Sequence, residues 1–342
     1  MPEPFDALAV DLARFQATHV AGYGRLCRAR GAAPSTFAVA RDAPAVPTEA
    51  FKVSRVASFP DREALAVFRT SGTTVGARGS HAMRRPATYD VAAVAFGRWA
   101  LTTGLALPLP VLALAPPPDE APDSSLCHMM QLFIGTFSGS PGTPDDFFLR
   151  DGILELAALD ARVSSAMVAR RPVLLLGTSF AFVHLLDAVG EAGFRLPEGS
   201  RVMQTGGFKG RSREVDAGEL RSTLASALGV DERAVISEYG MTELSSQFYE
   251  ATGRDTSARP GVLVEPPWAR VVPVDAETLE PVPDGAVGIA RIEDLMNVDS
   301  AFAVLAADRV RRVPGGFELL GRFPGAPPRG CSIAVDEILG PS

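Results

Sequence analysis

Lysine is almost missing from this chain. Only Lys52 and Lys209 occur among 33 lysines and arginines. A solvated arginine replaces lysine at little cost, so a retained lysine points to a need for a compact charge on a flexible stem. Lys209 sits within Gly206-Gly207-Phe208-Lys209-Gly210 and is the stronger candidate; a residual surface position is the competing reading. Cysteine is scarce too. Cys27, Cys127 and Cys331 are widely spaced, which excludes a disulfide framework and zinc-ligand spacing and points to a reducing cytoplasm. No apolar run reaches membrane-spanning length: the longest, residues 105–118, is broken by Pro108, Pro110 and Pro116. No basic cluster is present, and a net charge of −7 argues against nucleic acid as the main partner. The start, Met1-Pro2-Glu3-Pro4, lacks the basic and apolar regions of a signal peptide. There is no internal repeat and no low-complexity tract.

What is present is an apolar fraction of 46% over 342 residues, enough for a sizeable core. Phe5, Leu8, Leu12 and Phe15, then Tyr23 and Leu26, recur at helical spacing and predict one or two helices as an N-terminal layer over 1–47. Helical stretches are expected at 87–107, 153–170, 182–189 and 213–228. Strands are expected at 110–115, 172–176 and 201–204. This alternation predicts an α/β sheet with helices on both faces over 48–260. From 261 to 342 short strands between Pro/Gly turns predict a small antiparallel or barrel-like subdomain ending in a cysteine-bearing segment.

The densest chemistry lies in residues 68–79, Phe-Arg-Thr-Ser-Gly-Thr-Thr-Val-Gly-Ala-Arg-Gly, after a short apolar run. Glycines let backbone N–H groups approach a phosphate, hydroxyls donate to its oxygens, and arginines add charge. The P-loop pattern is excluded, because no Gly-Lys-Ser/Thr follows. A flexible surface turn is the competing reading. Further on come Glu238-Tyr239-Gly240-Met241-Thr242-Glu243, Asp308-Arg309 and Gly321-Arg322, the first two behind apolar runs.

These four elements, in this order, resemble the adenylate-forming superfamily of acyl- and aryl-CoA ligases. Two more features, Gln204-Thr205-Gly206-Gly207-Phe208-Lys209-Gly210-Arg211 and Arg329-Gly330-Cys331-Ser332, resemble its acyl-protein synthetase branch, in which a cysteine near the C-terminus accepts the acyl group. The resemblance runs from about residue 48 to the end. It implies the large α/β domain of an adenylate-forming enzyme, with layered sheets and a small β-rich subdomain, lacking the mobile C-terminal domain of relatives. It implies ATP and Mg²⁺ as cofactors, and conversion of a carboxylic acid, fatty in that branch, to acyl-AMP. Thr70, Ser71, Gly72, Thr73, Thr74 and Arg78 would hold phosphates. Glu243 would ligate Mg²⁺ and Thr242 would touch the α-phosphate. Tyr239 would stack near adenine beside Glu238 and Gly240, and Asp308 with Arg322 would bind ribose. Lys209 is expected to replace the lysine that the mobile domain supplies in relatives. Cys331 would take the acyl group, with Arg329 favouring its thiolate. Alternatively Cys331 is an inert small residue on a strand; Cys27 and Cys127 are expected to be structural. Phe180, Phe182, Gly207, Phe208, Leu244 and Phe248 are candidates for the acid pocket, and His128 and His184 for its neighbourhood.

Three departures from the superfamily pattern keep other readings open. Val75 stands where glycine is usual, Arg78 where lysine is usual, and Phe323-Pro324 where relatives have an acidic hinge residue. One alternative is an adenylating enzyme for aryl or acyl acids that delivers to a carrier protein or coenzyme A. The other is a protein that binds an adenylate-like or aromatic ligand without turnover. The expected partners are the acid and an acceptor such as a reductase or carrier protein.

Overall fold

The computed structural model describes residues 4–71, 77–190, 193–206, 217–324 and 329–339. They divide into two compact units, each built from segments distant in sequence. The first comprises Met1–Ala92, Met241–Ser246 and Glu265–Ser342; the second comprises Ala93–Gly240 and Gln247–Val264.

The second unit is a mostly parallel sheet. Its strands run in the order Val111–Leu114, Leu174–Thr178, Arg201–Thr205, Val235–Tyr239, followed by antiparallel Phe248–Glu250 and Val262–Val264. The first two strands are nearly continuous apolar runs, as burial on both faces requires. Helices Leu156–Val168, Ser179–Val189 and Ala217–Leu228 supply core residues such as Leu159, Phe182 and Leu224, all fully buried. Register places Thr178 beside Thr205 and Thr205 beside Glu238, at the carboxyl ends of three adjacent parallel strands. Ligand sites of open α/β sheets lie at that edge.

In the first unit, Ala269–Val274, Val287–Asp294, Ala303–Val313 and Gly316–Arg322 form an antiparallel meander, with Val46–Pro47 added parallel to the third strand. A separate hairpin pairs Ala66–Arg69 with Ser80–Met83. Helices Pro4–His19 and Ala21–Ala29 form the N-terminal layer. Of the expected stripe the first helix buries only Phe5. Leu8 is 60% and Phe15 39% exposed, whereas Ala9, Ala13 and Gln16 face inward with no exposure. Small residues allow close approach, and the buried amide is compensated by its bonds. Gln16 Nε2 donates to the carbonyls of Asn297 (2.8 Å) and Val298 (3.1 Å), and its Oε1 accepts from the Phe302 N–H (2.9 Å).

Other boundaries also differ from expectation. The helix expected over 87–107 ends at Leu101, and that over 153–170 is preceded by a short strand, Ile153–Leu154. The cysteine-bearing segment is an α-helix, Arg329–Leu339, not a strand. It docks on the second helix, where Arg25 Nε donates to the Ile338 carbonyl (2.6 Å) and Arg30 Nε to Glu337 Oε2 (2.8 Å). A Cβ on Gly22 would lie 2.9 Å from Ile338 Cγ2, so only glycine lets the two helices meet so closely. Among the described residues no helix is long and apolar enough to cross a membrane.

Candidate active site

The hydroxyl-rich turn grows from the hairpin. Strand alternation buries Phe68, His81 and Met83 together on one face. Thr70 and Gly79 close the base: the Thr70 N–H donates to the Gly79 carbonyl, and the Gly79 N–H donates to Thr70 Oγ1, both at 2.9 Å. Arg78 Nε donates to the Thr70 carbonyl at 2.6 Å and Nη2 to that of Arg69 at 3.3 Å, so the planar fork braces the base of the turn. Ser71 is exposed; Gly72, Thr73, Thr74 and Val75 lie outside the described residues.

Glu243 lies against this base. A Cβ on Gly79 would sit 3.0 Å from Thr70 Cγ2 and 3.6 Å from Glu243 Oε1. Glu243 is 5% exposed. The segment 241–246 that carries it is held by a buried polar network that the sequence reading did not identify. Asn297 Nδ2 donates to the Glu243 carbonyl (2.8 Å), and Ser245 Oγ donates to Asn297 Oδ1 (2.6 Å). Asp294 accepts from the Ser245 N–H (2.9 Å), Ser246 Oγ (2.7 Å) and the Met296 N–H (2.9 Å), while Trp268 Nε1 donates to Ser246 Oγ (3.0 Å). Burial raises the Asp294 carboxyl to about 6 despite these donors. On the hairpin side, His81 Nδ1 lies 2.7 Å from the Thr242 carbonyl. Burial lowers the imidazole to about 4, so the ring is neutral and Nδ1 carries the donated hydrogen.

Asp308 and Arg322 are cross-strand partners, with Arg322 Nε 3.4 Å from Asp308 Oδ1. Asp308 pairs with Arg322 and Val310 with Leu319, so Arg309 faces both Leu320 and Gly321. Gly321 has φ 78°, the left-handed conformation that such a bulge assigns to glycine. On the opposite edge the register also shifts, from Ile289–Arg309 to Ala290–Ala306. Asp308 therefore stands where the ladder is irregular on both sides, which aims its carboxylate differently from a regular strand residue.

The remaining candidates belong to the second unit. Glu238 is buried and accepts a hydrogen bond from Thr205 Oγ1. Burial raises its carboxyl to about 7, against the lowering effect of that bond. A Cβ on Gly240 would meet Glu238 Oε1 at 2.6 Å, so the Tyr-Gly step leaves room for the carboxylate. Tyr239 is buried with its ring 5.9 Å from that of Phe248. Ser179 Oγ accepts from Gln204 Nε2 and donates to the Gly206 carbonyl at 2.5 Å, fixing the entry to the glycine segment. Gly207, Phe208 and Lys209 lie outside the described residues. Phe180 is half-buried, 4.4 Å edge-to-face from exposed His184, and His128 is half-buried on helix Ser125–Ser138. Phe182, Leu244 and Phe248 are fully buried.

Glu238 has a consequence for stability. Its folded value is about 7 against an ordinary 4.5. Between these values the native state holds a proton that the unfolded chain has released, so stability falls as pH rises. The contribution is complete below about 4.5 and is lost through 7; Asp294, raised from 3.8 to about 6, acts in the same direction. Glu238→Gln keeps an acceptor for Thr205 and does not titrate. Melting temperatures across this range are expected to decline less steeply for the variant than for the wild type; parallel curves would contradict the assignment.

Over residues 5–339 the sequence matches the family described as Acyl-protein synthetase, LuxE. The chain belongs to the LuxE acyl-protein synthetase family. No curated protein matches it. Solved structures similar to this LuxE family member bear on the fold. ATP-bound MatB from Rhodopseudomonas palustris has a TM-score of 0.54 at 17% identity, covering 78% of this chain and 49% of that one. A 2-hydroxyisobutyryl-CoA ligase with 2-HIB-AMP and CoA has a TM-score of 0.65 at 15% identity, covering 92% of this chain and 73% of that one. The same ligase in its postadenylation state gives 0.66 at 15%, covering 93% and 66%. This LuxE family member thus spans about half the length of MatB.

Proposed function

We propose that this protein activates a carboxylic acid with ATP and passes the acyl group to a protein thiol. The observation that carries the reading is the buried carboxylate of Glu243 set against the Thr70–Gly79 base of the hydroxyl-rich turn. In the first half-reaction a carboxylate oxygen attacks the α-phosphorus and pyrophosphate leaves. In the second a thiolate attacks the acyl carbon and AMP leaves. Such chemistry asks a protein mainly to position groups and offset charge.

Thr70, Ser71, Gly72, Thr73, Thr74 and Arg78 bind the β- and γ-phosphates in this reading, Thr242 the α-phosphate, and Asp308 with Arg322 the ribose. Glu238, Tyr239 and Gly240 serve nucleotide binding, Phe180, Gly207 and Phe208 the acid, and Lys209 neutralises charge at the reacting carboxylate or α-phosphate. Among the described residues no cluster of three or more His, Cys, Asp or Glu could hold a metal alone. That fits Mg²⁺, which takes one or two carboxylates and completes its shell with phosphate oxygens and water. Glu243 would be the protein ligand, and the ion would neutralise charge on the leaving pyrophosphate.

The test is pyrophosphate release with a panel of fatty and aromatic acids, in the presence and absence of candidate protein acceptors. Release with a fatty acid, and its loss in Lys209→Met, are expected. Release only with aromatic acids and transfer to coenzyme A would establish the aryl-ligase alternative. Tight nucleotide binding with no release would establish a binding protein. Wild-type acyl-AMP formation by Lys209→Met would remove that lysine from the mechanism.

A further inference from the structure

We infer that His81 and Asn297 are positioning residues for adenylation, holding the Thr242–Glu243 backbone by capturing two consecutive carbonyls. The inference rests on the reading of Thr242 and Glu243 given above, and it assigns work to two residues outside every motif that the sequence displays.

The donors come from different elements. His81 lies on strand Ser80–Met83, two residues beyond Gly79, and its Nδ1–H meets the Thr242 carbonyl at 2.7 Å. Asn297 follows strand Val287–Asp294, and its Nδ2 meets the Glu243 carbonyl at 2.8 Å. Both side chains are almost wholly buried, at 2% and 1% exposure. A buried carbonyl stripped of its donor keeps the full penalty of its lost hydration, so neither bond is given up easily. Asn297 is fixed in orientation as well. Its second amide hydrogen goes to the Ala301 carbonyl (3.0 Å), and its Oδ1 accepts from Ser245 (2.6 Å). The imidazole is placed by Phe51, whose ring meets it edge-on at 5.8 Å.

The mechanical consequence concerns the phosphate turn. Its exit strand carries the donor that grips Thr242, and its base closes against the Glu243 carboxylate. Turn and carboxylate are therefore tied through one short hydrogen bond and one close approach. An enzyme whose chemistry is positioning gains from such a tie, because displacement of a reacting group by about 1 Å can cost a hundredfold in rate.

The experiment compares His81→Phe with His81→Asn. Phenylalanine fills the site without a donor, whereas the asparagine amide nitrogen occupies the place of Nδ1. The expected result is a kcat for pyrophosphate release reduced about tenfold in His81→Phe, with the acid KM unchanged and near-normal behaviour in His81→Asn. Hydrogen exchange at the Leu244 and Ser245 amides, which bond to the Met241 carbonyl and to Asp294, is expected to accelerate in His81→Phe but not in His81→Asn. Asn297→Asp, which keeps shape but loses the donated hydrogen, is expected to behave like His81→Phe and carries the test if that variant does not fold. Unchanged exchange in the donor-less variants, or equal impairment of both His81 variants, overturns the inference. A wild-type protein silent with every acid would instead remove the adenylation reading, while the exchange comparison still decides whether the carbonyls are held this way.

Discussion

Glu243→Gln is expected to lower Mg²⁺-dependent pyrophosphate release about a hundredfold or more while leaving the fold intact. The substitution is isosteric, and the bond that holds this residue from Asn297 goes to its main-chain carbonyl, not to its carboxylate. The surrounding restraints, from Asp294 to Ser245 and Ser246 and from His81 to Thr242, are likewise independent of the Glu243 charge. What changes is the donor offered to a hard cation: an amide oxygen has no net charge, and in a buried position charge counts for more than it does in water. The loss should appear in kcat and in the Mg²⁺ concentration for half-maximal rate, and added Mg²⁺ should recover part of it. Melting temperature and circular dichroism should match the wild type. A variant with the normal rate and Mg²⁺ dependence would show that Glu243 is a structural carboxylate and would remove the observation on which the proposed chemistry rests.

The sequence displays Thr70 and Glu243 because glycines and hydroxyls crowd around them, and Asp308 and Arg322 because they follow these in an ordered series. The structure adds that Thr70 and Gly79 abut Glu243 and that Asp308 faces Arg322. His81, Asn297, Asp294 and Gln16 carry no such local mark. Their partners lie far along the chain, 161 residues away for His81 with Thr242 and 281 for Gln16 with Asn297, and a buried polar residue looks in sequence like any surface one. Only the isolation of His81 just beyond Gly79 offered a signal. Helix Ser125–Ser138 carries its signals in the sequence: Ser124 caps it through the Cys127 N–H, Cys127, Met130, Ile134 and Phe137 are buried at helical spacing, and Gly139 ends it with φ 74°. The first helix misled for another reason. Large apolar residues suggested one face, but close packing favoured the alanine face, and Gln16 brought its own hydrogen-bond partners. The division into two units was not readable at all, since Met241–Ser246 joins segments that lie before residue 93 and after residue 264.

Cys331→Ser is expected to abolish the acyl-enzyme altogether while sparing acyl-AMP formation. Three cysteines compete for the role of acceptor. Cys27 and Cys127 are buried, and burial pushes both thiols up, away from the reactive thiolate. Cys331 is the third residue of helix Arg329–Leu339. The far end of that helix is anchored, with Ala334 and Ile338 buried and Glu337 paired with Arg30. Serine preserves the size of the side chain but ionises far less readily than a thiol, so attack on acyl-AMP should fall to background. With ATP and labelled fatty acid, the wild type should acquire label that neutral hydroxylamine releases, as a thioester requires; the variant should acquire none, yet still release pyrophosphate in its first turnover. Label that survives hydroxylamine, or that persists undiminished in Cys331→Ser, would move the acceptor off this cysteine. Loss of pyrophosphate release together with the label would place Cys331 in the first half-reaction instead of the second.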